Sequence, residues 1–129
     1  MRENRISIII NRPVDRVFQF TLNPSNTSKW IDGIKQEESN EWPVKVGTIY
    51  RNESQNGVWR QYKIVEIVDN STFTMRSVEG NYSVKYTFEN RDENSTEFEY
   101  YEWVDSGNLE DPFTSETLQK LKSVIEQLN

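Results

Sequence analysis

The chain has 129 residues, with 21 acidic and 15 basic side chains and a formal net charge of −6. That length fits one domain spanning residues 1–129, and the negative charge disfavours nucleic acid and anionic membrane surfaces as partners. The absence of cysteine and histidine excludes disulfides, thiolate or imidazole metal sites and a Ser-His-Asp triad, so we expect no metal and no cofactor.

The first part of the chain is predicted to form a strand followed by two short helices. Residues 6–11 are rich in β-branched side chains, which is typical of a strand and not of a signal peptide. Residues 13–22 begin with a proline and place apolar side chains on one helical face. Asn23 and Pro24 then end this helix and start a second one, which closes at Trp30. No apolar run is long enough to span a membrane, so we expect no membrane insertion and a cytoplasmic location.

The middle of the chain is predicted to form six antiparallel strands. They cover residues 33–39, 48–53, 58–68, 73–79 and 82–89, followed by a last strand that includes Phe98 and Tyr100. The pair Asn56-Gly57 predicts a tight hairpin, because it tolerates positive φ at both turn positions. The polar stretches 37–41 and 89–94 are interpreted as loops or solvated strand ends.

The last element is predicted to be a long amphipathic helix. Asp111 and Pro112 indicate its start. The apolar residues that share its inner face are Leu118, Leu121, Ile125 and Leu128. The predicted fold class is therefore α+β: a curved seven-stranded antiparallel sheet, two short helices after the first strand, and a C-terminal helix over a cavity.

Three segments, taken in this order, resemble parts of a known superfamily. They are INRPVDRVFQFTLNPSNTSKWI at 10–31, VGTIYRNES at 46–54 and YKIVEIVDNSTFTMRS at 62–77. Together with the closing helix they resemble the START-like (SRPBCC) helix-grip superfamily, in particular its polyketide cyclase/dehydrase-like branch. The resemblance covers nearly the whole chain and implies a ligand pocket. Because the superfamily includes lipid carriers, hormone receptors, cyclases and chaperone activators, the resemblance does not select a reaction.

An aromatic-rich sheet face is predicted beneath the last helix, where it either lines a cavity or fills a core. The tyrosines favour a cavity, because a buried hydroxyl needs a partner that a ligand or water can supply. Leu118 and Leu121 would close the cavity from the helix side. The candidate ligand-binding residues of the sheet are Phe73, Met75, Tyr82, Tyr86, Phe88, Phe98 and Tyr100.

Glu102 continues the alternation of Phe98 and Tyr100 and is the candidate catalytic or ligand-anchoring carboxylate. Inside an apolar cleft its pKa would rise, and it could then act as an acid or a base. The favoured interpretation nevertheless turns Glu102 to water at a bulge or a strand end, since charged side chains are rarely buried without a partner.

Two further groups have alternative interpretations. Trp30 and Trp59 are candidate ligand-binding residues that would gate the cavity, and the alternative is that they fasten the helices to the sheet. Three arginines could hold a ligand carboxylate at the cavity mouth or, as favoured, form an outer-face ladder with glutamates. The two sets are Arg51, Arg60 and Arg76 with Glu53, Glu66 and Glu79.

The sequence leaves three functions open, in this order. The first is binding or transport of a small hydrophobic or amphipathic molecule, such as a lipid, polyketide or isoprenoid-like compound, by a monomer or weak homodimer. The second is a cyclase or dehydratase, which the lack of histidine disfavours because many enzymatic members of the superfamily place one in the cavity. The third is a protein-interaction domain, which would have a filled interior.

Overall fold

The computed structural model describes residues 1–128, which form one sheet and a few helices. In chain order the elements are β1 (Glu3–Ile10), α1 (Val14–Leu22), a 3₁₀ helix (Pro24–Lys29), β2 (Ile34–Ser39), β3 (Ile49–Ser54), β4 (Trp59–Val68), β5 (Thr72–Ser77), β6 (Tyr82–Asp92), β7 (Ser95–Val104) and α2 (Ser115–Glu126). This order confirms the predicted α+β architecture.

The seven strands form one antiparallel sheet in the order β1-β7-β6-β5-β4-β3-β2. The first strand pairs with the last, so β1 and β2 are the two edges. Irregular register interrupts β2, β4 and β6. Such bulges bend a strand and increase its twist, which curves the sheet around its inner face.

The alternation of β7 extends further than expected. Every second side chain from Thr96 to Val104 is buried, and the pairing with β6 stays regular from Thr96 to Val104. Glu102 is only 1 % exposed, so the favoured interpretation that it turns to water is wrong. Trp103 takes the outward position instead, where its ring stacks on Tyr101 at 4.9 Å.

The inner face of the sheet has a filled half and an open half. In the filled half, the ring of Phe18 from α1 meets Phe88 edge to face at 5.1 Å, and the apolar face of α2 packs beside β1. The predicted ligand-binding residues that lie in this filled half, away from the cavity, are Phe88, Phe98, Leu118 and Leu121. For these four residues the core interpretation applies.

The two predicted helix starts have different outcomes. Asn23 caps the 3₁₀ helix as expected, since its Oδ1 accepts a hydrogen bond from the Ser25 backbone N–H at 3.0 Å. The last helix begins at Ser115 and not at Asp111. Asp111 has φ of +50°, a left-handed conformation that cannot start a right-handed helix. Leu128 lies beyond the end of α2 and is 43 % exposed.

The β3–β4 turn is also built differently from the prediction. Only Gly57 of the Asn56-Gly57 pair has positive φ, at +86°. Its N–H donates to the Ser54 carbonyl at 2.9 Å. The pair still forms a hairpin turn, but only the glycine supplies the left-handed conformation.

The arginines of the outer face pair with acidic residues other than the glutamates of the predicted ladder. Arg51 pairs with Glu38, and Arg76 pairs with Asp105. The remaining arginine of the ladder, Arg60, lies at the cavity wall. Such exposed pairs stabilise a fold by about 0–1 kcal/mol each, so the exchange of partners has little energetic consequence.

No helix in residues 1–128 is long and apolar enough to cross a bilayer.

Candidate functional site

A cavity of about 720 Å³ occupies the open half of the inner face. Its volume falls in the range of pockets that enclose small molecules. The sheet, the end of the 3₁₀ helix and the segment before α2 form its walls. The predicted site residues on these walls are Trp30, Phe73, Met75, Tyr82, Tyr86, Tyr100 and Glu102. Wall residues that sequence reasoning missed include Glu37, Tyr50, Tyr62, Val84 and Phe113.

Trp59 lies outside this cavity. It is 42 % exposed, and the guanidinium of Arg51 sits 4.5 Å above its ring on the outer face of the sheet. The register explains the placement, because β4 pairs Tyr62 with Tyr50 on the inner face and therefore turns Trp59 outward. Trp59 neither gates the cavity nor fastens a helix to the sheet.

Trp30 is the tryptophan that reaches the cavity wall. It is 2 % exposed, and its ring meets those of Phe98 and Phe113 edge to face at 6.5 and 6.2 Å. Its Nε1 is the only buried side-chain nitrogen or oxygen in residues 1–128 that lacks a hydrogen-bond partner. A buried donor without a partner costs about 1–3 kcal/mol. An acceptor on a bound molecule would recover part of that cost if it reached Nε1.

Glu102 holds one end of the cavity together. Its Oε2 accepts from the Asn4 amide at 2.9 Å and from the Phe113 backbone N–H at 2.8 Å. Its Oε1 accepts from the Tyr82 hydroxyl at 2.7 Å. The carboxylate thus joins β1, β6 and the segment before α2. With these donors already bound to its oxygens, Glu102 positions the wall and is poorly placed to take a proton from a ligand.

The segment before α2 is held in place by Glu102 and Asn4 together. The Asn4 amide also donates to the Phe113 carbonyl at 2.8 Å, so Phe113 is held through both of its backbone polar groups. Its ring then stacks on Tyr100 at 4.2 Å with an interplanar angle of 7°. The carboxylate therefore sets the position of an aromatic ring on the cavity wall.

The buried tyrosines are neutral hydrogen-bonding groups. The hydroxyls of Tyr82 and Tyr100 lie 2.9 Å apart, and burial followed by the Glu102 charge raises the pKa of Tyr82. Burial likewise raises the pKa of Tyr86 and of Tyr50, and in both cases the Glu37 charge adds to the rise. These hydroxyls remain protonated at neutral pH. Tyr50 and Tyr82 already donate their protons to the Leu22 carbonyl and to Glu102, so Tyr86 is the one placed to donate to a ligand oxygen.

Glu37 is a second inward carboxylate, at the other end of the cavity. A bulge between Ile34 and Gln36 shifts the register of β2 and turns Glu37 to the inner face. Its Oε1 accepts from the Thr27 hydroxyl at 2.6 Å, and its Oε2 accepts from the Asn52 amide at 3.1 Å. Desolvation by burial raises its pKa despite both hydrogen bonds, which act in the opposite direction. Glu37 is therefore the wall residue with the character of an acid or base.

The charge of the cavity wall is strongly unbalanced. One basic side chain, Arg60, stands on it. The acidic side chains on the wall are Asp32, Glu37, Glu102, Glu110 and Asp111. Within residues 1–128, no cluster of three or more acidic side chains is arranged to hold a metal ion. A second depression, of about 290 Å³, lies on the outer side of β2 and β3.

The Glu102 arrangement predicts a large, local effect of its removal. Glu102→Ala leaves the Asn4 amide and the Phe113 N–H without their carboxylate acceptor, so the free energy of unfolding should fall by about 2–4 kcal/mol. Denaturant unfolding measures that loss, and hydrogen exchange should speed up at the Phe113 amide. Glu99→Ala, on the outer face of the same strand, should cost less than about 1 kcal/mol. Equal losses in the two variants would contradict the assigned role.

The raised pKa of Glu37 predicts a pH-dependent effect on stability. A carboxyl group whose pKa is higher in the folded protein than its ordinary 4.5 binds more protons when folded, so its contribution to stability falls as pH rises through that window. Glu37→Gln removes this loss and should gain on wild type between about pH 5 and pH 8, by at most about 1.4 kcal/mol per pH unit. Thermal and denaturant unfolding at both pH values measure the difference. The exposed control Glu38→Gln should show no such gain, and a pH-independent difference for Glu37→Gln would refute the assignment.

Comparison with solved structures shows the same fold in proteins of low sequence identity. A START superfamily protein from Mycobacterium smegmatis is 11% identical, with 100% of both chains covered and a TM-score of 0.79. The protein XoxI from Bacillus cereus is 13% identical, with 98% of this chain and 97% of that chain covered and a TM-score of 0.78. The di-domain ARO/CYC protein BexL is 12% identical, with 81% of this chain and 36% of that chain covered and a TM-score of 0.66.

Sequence comparison identifies the family. Among curated proteins no sequence matches this chain. A family described as "Polyketide cyclase / dehydrase and lipid transport" matches residues 1–128. This match and the shared fold support a ligand-binding or cyclase-type role. The chain therefore belongs to the polyketide cyclase/dehydrase and lipid transport family.

Proposed function

We propose that the protein binds a small amphipathic molecule, such as a lipid, polyketide or isoprenoid-like compound, in the cavity of about 720 Å³. That unfilled, aromatic-walled space is the observation that carries the proposal. Phe73 and Tyr86 pack on each other with ring centroids 4.6 Å apart and border the space as apolar surface, and Tyr82 on the same wall adds a polar group. A concave wall that combines aromatic side chains with placed polar groups is typical of small-molecule sites.

Two other functions are less well supported. A protein-interaction domain would need a filled interior, and the cavity does not favour it. A cyclase or dehydratase would need a proton-transfer group in the cavity. Glu37, with its raised pKa, is better suited to that role than Glu102, whose oxygens already accept three hydrogen bonds. The family's description includes both lipid transport and cyclase or dehydrase activity.

Probe binding with a blocked cavity tests the proposal. The uncharged fluorescent probe N-phenylnaphthylamine should bind wild-type protein saturably at one site. Met75→Trp places an indole on the cavity wall and should abolish binding, because Met75 lines the space. Val78→Trp adds the same side chain at a position that is 49 % exposed and outside the cavity, and should bind like wild type.

The binding experiment and native mass spectrometry together decide between the candidate functions. Absence of saturable binding to wild type would count against the proposal, as would equal binding to both tryptophan variants. Native mass spectrometry of protein purified from its own host should find a small molecule bound at one per chain. Chemical conversion of that molecule during incubation would instead favour the cyclase or dehydratase, with Glu37 as its proton-transfer group.

A further inference from the structure

The two inward carboxylates of the cavity have no cationic partner. Neither Glu37 nor Glu102 lies within 4.0 Å of a lysine or arginine nitrogen among the ion pairs of residues 1–128. Removing a carboxylate from water without a counter-charge is costly. Glu102 is compensated by three hydrogen-bond donors from the protein. Glu37 has two, both from neutral side chains, and it faces the cavity.

The rest of the cavity wall also has an excess of negative charge. Acidic side chains outnumber the single guanidinium of Arg60, and Asp32, Glu110 and Asp111 add exposed carboxylates where the wall meets solvent. A negative field of this kind attracts cations and repels anions such as a fatty-acid carboxylate. Of the exposed acids, Asp32 pairs with Lys120 of α2, so the excess is smaller there than the count suggests.

The aromatic lining suits a cation as well. Tyr50, Tyr62 and Tyr86 stand close enough to Glu37 for its charge to raise the pKa of each hydroxyl. The faces of such rings attract an ammonium group, and the attraction strengthens when water is excluded. An ammonium beside Glu37 would therefore have a carboxylate acceptor, with these three tyrosines on the same cavity wall.

We propose that the ligand carries a protonated amine, which binds at Glu37, and an apolar ring or chain, which lies along Phe73 and Tyr86. This inference rests on the proposed function and narrows its ligand class to cationic amphiphiles. Glu37 supplies a charged acceptor, with Thr27 and Asn52 holding its two oxygens in place. Glu102 remains a positioning residue that fixes the wall opposite.

A matched set of three ligands tests the charge preference. Naphthylmethylamine, naphthalenemethanol and naphthoic acid share one ring system and differ in the charge of a single substituent. Calorimetric titration at neutral pH should give wild-type protein an affinity for the amine about tenfold or more above that for the alcohol. The acid should bind more weakly than the alcohol.

Two variants test whether Glu37 causes the preference for the amine. In Glu37→Gln the ratio of amine to alcohol affinity should fall to about one; taking the ratio within each variant cancels any general loss of affinity. Glu38→Gln is the matched control, because Glu38 is the next residue, points outward and pairs with Arg51. It should keep the wild-type ratio. A preference that survives in Glu37→Gln would overturn the assignment to this carboxylate.

The pH dependence of amine affinity in wild-type protein is a second test, and it needs no variant. Amine binding requires ionised Glu37, so its affinity should fall as pH is lowered through the raised pKa of Glu37, while alcohol binding should not. The tyrosines near Glu37, which are Tyr50, Tyr62 and Tyr86, have raised pKa values and stay protonated in that range, and Arg60 is the basic side chain on the same wall. A wild-type amine affinity that is insensitive to pH would contradict the proposal.

The outcomes separate this inference from the function on which it rests. Equal binding of amine and alcohol to wild type overturns the amine preference and leaves the cavity as a ligand site. Failure of all three compounds to bind, in protein that also fails to bind the uncharged probe, overturns both.

Discussion

The fold is governed by a mismatch of lengths between one helix and one sheet. Helix α2 has 12 residues and is therefore about 18 Å long, whereas seven strands at a spacing of about 4.8 Å extend over roughly 29 Å. The helix cannot cover the whole inner face, and it packs beside β1 at one edge. Helix α1 adds cover over β6 and β7. The part of the inner face around Tyr82, Val84 and Tyr86 remains, and it becomes a wall of the cavity.

An uncovered aromatic face would collapse if its far wall were free to move inward. The far wall is the segment before α2, and Glu102 fixes it by accepting hydrogen bonds from β1, β6 and the Phe113 backbone. The carboxylate is thus a structural device that holds the cavity open from one side. At the opposite end, Glu37 has neither a cation nor a third donor, so its charge remains available to a ligand. The two carboxylates of the cavity take different roles because their hydrogen-bond partners differ.

Much of the fold was predictable, because period-two alternation over long strands is a strong signal. The alternation of β6 and β7 placed Tyr82, Tyr86 and Tyr100 correctly on the inner face. It could not separate the filled half of that face from the open half, because the two halves differ only in which helix lies across them. The inward position of Glu37 could not be predicted, for another reason. A bulge between Ile34 and Gln36 inverts the alternation, and no residue type marks the position of that bulge. Phe113 was missed because the helix was expected to begin before it.

The central claim is that the space around Val84 is unfilled, and adding volume there tests it most directly. Val84 lines the cavity and is 5 % exposed, whereas Val17 is fully buried in the packed half. Val84→Phe should change the free energy of unfolding by less than about 1 kcal/mol or increase it, because the ring enters empty space. Val17→Phe should cost about 1–3 kcal/mol or more, as overpacking does. Equal destabilisation by the two substitutions, measured by denaturant unfolding, would mean that the space is already occupied by side chains.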